Sequence, residues 1–109
     1  MRAATQTTRN SFFGNYVTAT LAAMLEVAKH TGATSALANV GDPYGNFEWD
    51  YETDEGIYFA VYDRNQSAPL GLNEEVSWHI AASTQWEARE AAEELAAMLA
   101  EMDELTPQR

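Results

Sequence analysis

The stretch Phe47–Gly56, FEWDYETDEG, decides how this chain folds. Phe47, Trp49 and Tyr51 stand two residues apart, so an extended backbone carries them on one face and Glu48, Asp50 and Glu52 on the other. Thr53, Asp54, Glu55 and Gly56 supply a tight turn, after which Ile57, Phe59 and Val61 resume the same alternation, as in a β-hairpin. Strands are therefore expected over 46–52 and 57–62. Val76, Trp78 and Ile80 repeat the pattern beyond an irregular segment and predict a third strand over 75–82.

Outside the hairpin the period changes from 2 to 3.6. Upstream, Val17, Leu21, Met24, Leu25 and Ala28 recur at three- and four-residue spacing and Gly32 stands where a C-terminal cap belongs, which predicts a helix over 14–31. Residues 1–11 are polar and read as a flexible arm. Downstream, Thr84 and Glu87 form a capping-box pattern that opens a helix over 84–104. Ala88, Ala91, Ala92, Leu95, Met98, Leu99 and Met102 fill one arc of it, with a stripe of glutamates opposite. The expected fold is α+β, one domain over residues 1–109. It is a two-layer α-β-β-β-α arrangement: a three-stranded antiparallel meander with both helices packed on the aromatic face. The second sheet face is left to Glu48, Asp50, Glu52, Tyr58, Tyr62, Ser77 and His79.

The formal net charge is −11, and from His30 to Gln108 sixteen Asp and Glu residues face only Arg64 and Arg89. Such a surface repels nucleic acid and anionic membranes and steers cationic partners inward. The chain has no cysteine, hence no disulfide framework and no thiolate zinc site. No apolar run approaches the ~20 residues of a membrane span, and the first residues lack the apolar core of a secretory signal, so a soluble cytoplasmic protein is expected.

No spacing in the sequence supports a Ser-His-Asp set, and there is no nucleophile elbow. His30 suits the C-terminal turn of a helix. His79 is a candidate acid-base partner for Glu48 or Asp50 across the sheet, and a solvated surface residue otherwise, so no catalytic residue is assigned. Asp42, Asn46, Glu48 and Asp50 are oxygen donors at close spacing, but they do not follow the calcium-loop pattern, and no metal or other cofactor is expected.

The element order resembles that of the double-stranded RNA-binding domain. That family grips phosphate with lysines at the start of its last helix, where this chain reads STQWEAREAAEEL with only Arg89 basic, so direct nucleic-acid binding is not expected. In size and charge pattern the chain resembles the small acidic phage-encoded inhibitors of anti-CRISPR and anti-restriction type. The resemblance implies a basic partner surface, such as the nucleic-acid channel of a CRISPR effector, with carboxylates standing in for phosphates. Candidate partner-binding residues are Glu48, Asp50, Glu52, Asp54 and Glu55 on the hairpin, Tyr58 and Tyr62 on the second strand, and Glu74 and Glu75 before the third. Trp86, Glu87, Glu90, Glu94 and Glu101 on the last helix complete the set, with Trp86 as aromatic anchor. The alternative is an acidic adaptor without mimicry, and a homodimer that covers the open face or a sheet edge is compatible with either.

Overall fold

Five antiparallel strands and two helices make an α+β fold in the structure, a computed structural model that describes residues 1–5, 12–41, 45–63 and 68–105. In chain order the elements are β1 (Arg2–Ala3), β2 (Phe12–Thr20), α1 (Leu21–Thr31), β3 (Glu48–Glu52), β4 (Tyr58–Tyr62), β5 (Glu75–Ala82) and α2 (Gln85–Leu105). The sheet order is β1-β3-β4-β5-β2. The expected meander is thus the centre of a wider sheet, with one strand added at each edge.

Two expectations are corrected here. The helix expected over 14–31 begins only at Leu21. The residues before it form the nine-residue strand β2, which pairs antiparallel with β5 from Asn15↔Ile80 to Thr20↔Glu75. Phe12, Phe13, Tyr16, Val17, Thr18 and Thr20 are aromatic or β-branched and favour a strand, and Val17 fits either period. Thr20 ends the strand and caps the helix, its hydroxyl accepting the Ala23 amide at 3.1 Å. The arm expected over 1–11 is pinned at its start, where Arg2 pairs with Glu52 and Ala3 with Tyr51. Residues 6–11 lie outside the described residues, as do Asp42 and Arg64.

The hairpin and the last helix form for local reasons. Gly56 takes φ 92°, a left-handed conformation that suits glycine, and lets the turn close with the Thr53 amide donating to the Ile57 carbonyl at 2.8 Å and the Ile57 amide to the Thr53 hydroxyl at 3.0 Å. Thr84 accepts the Glu87 amide at 3.0 Å and shares a 3.3 Å contact with its carboxylate, so the capping residues are those the sequence marks. Burial along β3 alternates, with Trp49 and Tyr51 at 1% and 0% exposure between half-buried acids. These two join Val17, Phe59, Val61, Trp78, Ile80 and Ala82 in one core cluster with Leu21, Met24 and Val27 of α1 and Ala88, Ala91 and Leu95 of α2. The Trp78 indole donates to the Ala19 carbonyl at 3.1 Å, tying β5 to β2 from within that core.

A buried polar staple closes the far end of the sheet. Asp63, 1% exposed, accepts the backbone amides of Asn46 at 2.8 Å and Phe47 at 2.7 Å and the Asn46 side-chain amide at 3.1 Å. Asn46 in turn accepts the Gly41 amide and donates to the Ala68 carbonyl. Gly45, at φ 122°, passes so close to Asp63 that a Cβ there would lie 2.7 Å from its carbonyl oxygen.

Candidate interaction surface

The acids of β3 point away from the core, and the register fixes what stands beside them. Glu48 lies opposite Tyr62, Tyr62 opposite His79, and His79 opposite Tyr16, which makes a single row across β3, β4, β5 and β2. The Tyr62 and His79 rings stack at 5.2 Å, and Tyr16 meets His79 edge-on at 4.7 Å. The next row holds Asp50, Ala60 and Ala81. This face is less open than the sequence suggests, because Ala60 and Ala81, flanked by Tyr58, Tyr62 and His79, are buried. Tyr16, which the sequence placed in a helix, is 55% exposed at the end of the row. An acid-base couple between His79 and Glu48 is interrupted by β4, since Tyr62 stands between them.

The five hairpin carboxylates do not form one set. Glu52 pairs with Arg2, Oε2 to guanidinium at 3.0 Å. Asp54 and Glu94 both hold the Met1 ammonium, Glu94 at 3.1 Å, and Glu94 also accepts the Asp54 amide at 3.0 Å. Burial works to lower the pKa of that ammonium, but its bonds to Asp54 and Glu94 outweigh burial and raise it. Asp54 is lowered in return by the same hydrogen bond and charge. Glu48 and Asp50 behave in the opposite way. Desolvation pushes both pKa values up, and the Asp50 charge adds to the rise at Glu48. Among the described residues no cation of the chain pairs with either.

The remaining candidates lie elsewhere. Glu74 and Glu75 are exposed at the start of β5, and Glu74 accepts the Gly71 amide at 3.2 Å. Trp86 is 51% exposed in the first turn of α2, and Glu101 is exposed near its end. Glu87 is committed to the cap, and Glu90 and Glu94 line a small cleft with Thr53, Glu55 and Ile57. Ala88, Ala91 and Leu95 turn α2 toward the core cluster, and its Glu94 reaches the hairpin tip at Asp54. Asn46, an oxygen donor in the sequence, is consumed by the Asp63 staple. Among the described residues no group of three or more His, Asp and Glu side chains converges to hold a metal ion, and no helix is long and apolar enough to cross a membrane.

Sequence reading missed Tyr16 and the internal pairing of Glu52, Asp54 and Glu94. Alternating aromatic and β-branched residues over 12–20 were the available signal for the first, and none existed for the second. Comparison of the chain with protein-family models, with curated proteins and with solved structures finds no match.

Proposed function

We propose that the chain is a binding protein without catalysis of its own, which takes an arginine-bearing surface of a protein partner on its second sheet face. The partner is one that handles nucleic acid, and occupation of its basic site keeps nucleic acid away. The proposal places both helices on the core side of the sheet, so that this face is left to the partner. One observation carries it: the row Glu48, Tyr62, His79, Tyr16, with Asp50 in the adjoining row. A guanidinium stacks on aromatic rings while its N–H groups pair with carboxylates, and Glu48 and Asp50 are half-desolvated charges that such a group would relieve. A CRISPR effector or restriction complex, the partner class implied by size and charge, offers arginines of this kind.

The adaptor reading, with no imitation of nucleic acid, is favoured by a separate observation. With Glu52 paired to Arg2, β3 presents two acids that no cation of the chain pairs with among the described residues, Glu48 and Asp50, about 6.6 Å apart along the strand, instead of a row of three. The two readings share the surface and differ in whether nucleic acid is displaced. The test is a labelled DNA duplex held by an arginine-rich or a lysine-rich peptide of equal length, to which the protein is added. Mimicry predicts release of the DNA, with the arginine peptide captured more tightly than the lysine peptide. Capture of the peptide with its DNA still attached supports the adaptor, and equal, weak affinity for the two peptides contradicts the surface.

A further inference from the structure

We propose that β2 is a self-association edge, through which two copies of the chain join their sheets about a twofold axis at Val17. The register with β5 determines which backbone groups face outward. Leu21 donates to the Glu74 carbonyl at 3.2 Å, so the odd-numbered residues of β2 bond to β5, and the N–H and C=O groups of Tyr16 and Thr18 point to the free edge. Nothing among the described residues pairs with them, and β2 is the last strand in the sheet.

Edge strands are usually blunted by short length, lysine, proline or inward charge. The opposite edge follows that rule: β1 is two residues long and carries the Arg2–Glu52 pair. β2 does not. It runs for nine residues without a charge or a proline in a chain of net charge −11, and its irregularity lies between Phe12 and Asn15, leaving the run from Asn15 to Thr20 regular.

The helix above this edge supplies charges that suit a copy of itself. Arg89, Ala92, Glu93 and Ala96 of α2 border a shallow groove of about 460 Å3 with Asn15, Tyr16, Val17 and Thr18. Arg89 is the one basic residue of α2 and stands a single turn from Glu93. Two such helices crossing antiparallel at the axis set each arginine against the partner's Glu93, over alanines small enough to let the backbones approach. A twofold at Val17 pairs Tyr16 with Thr18 of the second copy in both directions, which closes four backbone hydrogen bonds. The sheet becomes continuous across the seam, and both copies present Glu48 and Asp50 on the same side. The contact uses the backbone of Tyr16 and neither acid, so it does not rest on the sheet-face proposal.

Analytical ultracentrifugation of the full chain from about 1 to about 100 µM, in about 0.15 M salt, which damps the long-range repulsion of the net charge but spares contacts shorter than the ~8 Å screening length, should show a monomer–dimer equilibrium. Thr18→Pro removes an outward N–H at an edge position that tolerates proline and should weaken association by roughly tenfold or more. Should that variant fold poorly, Arg89→Glu places like charges across the axis and should weaken association to a similar degree, with the double exchange Arg89→Glu, Glu93→Arg restoring it. A monomer throughout the range overturns the proposal. So does a dimer indifferent to Thr18→Pro and Arg89→Glu, which would place the contact elsewhere.

Discussion

Asp63 and Glu48 sit at the same open end of the β3–β4 ladder, Asp63 one residue beyond the Glu48↔Tyr62 pair, and show what a carboxylate costs or contributes in this fold. Asp63 is buried and answered by three N–H groups of the chain, so it organises the loop entering β3. Glu48 is half-buried beside Asp50 and answered by no cation of the chain among the described residues, so its pKa rises. Glu52, Asp54 and Glu94 fall between these limits, each held by Arg2 or the Met1 ammonium. The difference teaches that counting acids does not locate a binding surface. The acids that remain for a partner are those the fold leaves uncompensated.

Asp63→Ala should produce the largest effect, because it strands buried amide donors of Asn46 and Phe47. A loss of about 3 kcal/mol is expected in urea unfolding. Asp63→Asn, which keeps one acceptor, should lose less, and equal losses for the two would mean that charge rather than geometry holds the staple.

Next in size is Glu94→Gln, which loosens the bridge from α2 to the hairpin tip and Met1. The expected loss is about 0.5–1 kcal/mol, small because such partly exposed pairs are screened. The ammonium has a folded pKa above its unfolded value of about 8, so its contribution is complete below that pH and disappears as pH rises through the raised value. Wild type and variant should therefore converge in thermal stability at alkaline pH.

Glu48→Gln with Asp50→Asn should do the reverse and stabilise the fold by a few tenths of a kcal/mol, about 1–3 °C in Tm. A carboxylate whose folded pKa is raised binds protons more readily in the native state, so its penalty is present above that pKa and is relieved as pH falls toward the unfolded value. The gain should be seen at pH 7 and vanish near pH 4. A destabilised variant would show that these acids have partners within the fold.

Much of the central sheet was legible because its causes are local. Alternation in FEWDYE and IYFAV, a turn glycine at 56, and Thr84 with Glu87 each act within a few residues. β2 was misread because Val17 stands four residues before Leu21 and completes a helical pattern as readily as a strand one, and a neighbour on β5 more than fifty residues away decides between them. The candidate surface was half legible. Glu48 and Asp50 follow from alternation, but their separation from Glu52 and Asp54 depends on Arg2 and Met1, which meet them across 50 and 53 residues. Asp63 and Asn46 look like ordinary loop residues until their burial is known.

The sheet-face account is tested most directly by two charge-matched variants, one carrying Glu48→Gln with Asp50→Asn and the other Glu87→Gln with Glu101→Gln. Each removes two negative charges, so generic acidity predicts the same loss in both. Titrated with an arginine-rich peptide, the first should bind roughly tenfold more weakly than wild type and the second within about twofold of it. Equal losses in the two variants, or a greater loss in the helix variant, would contradict the account.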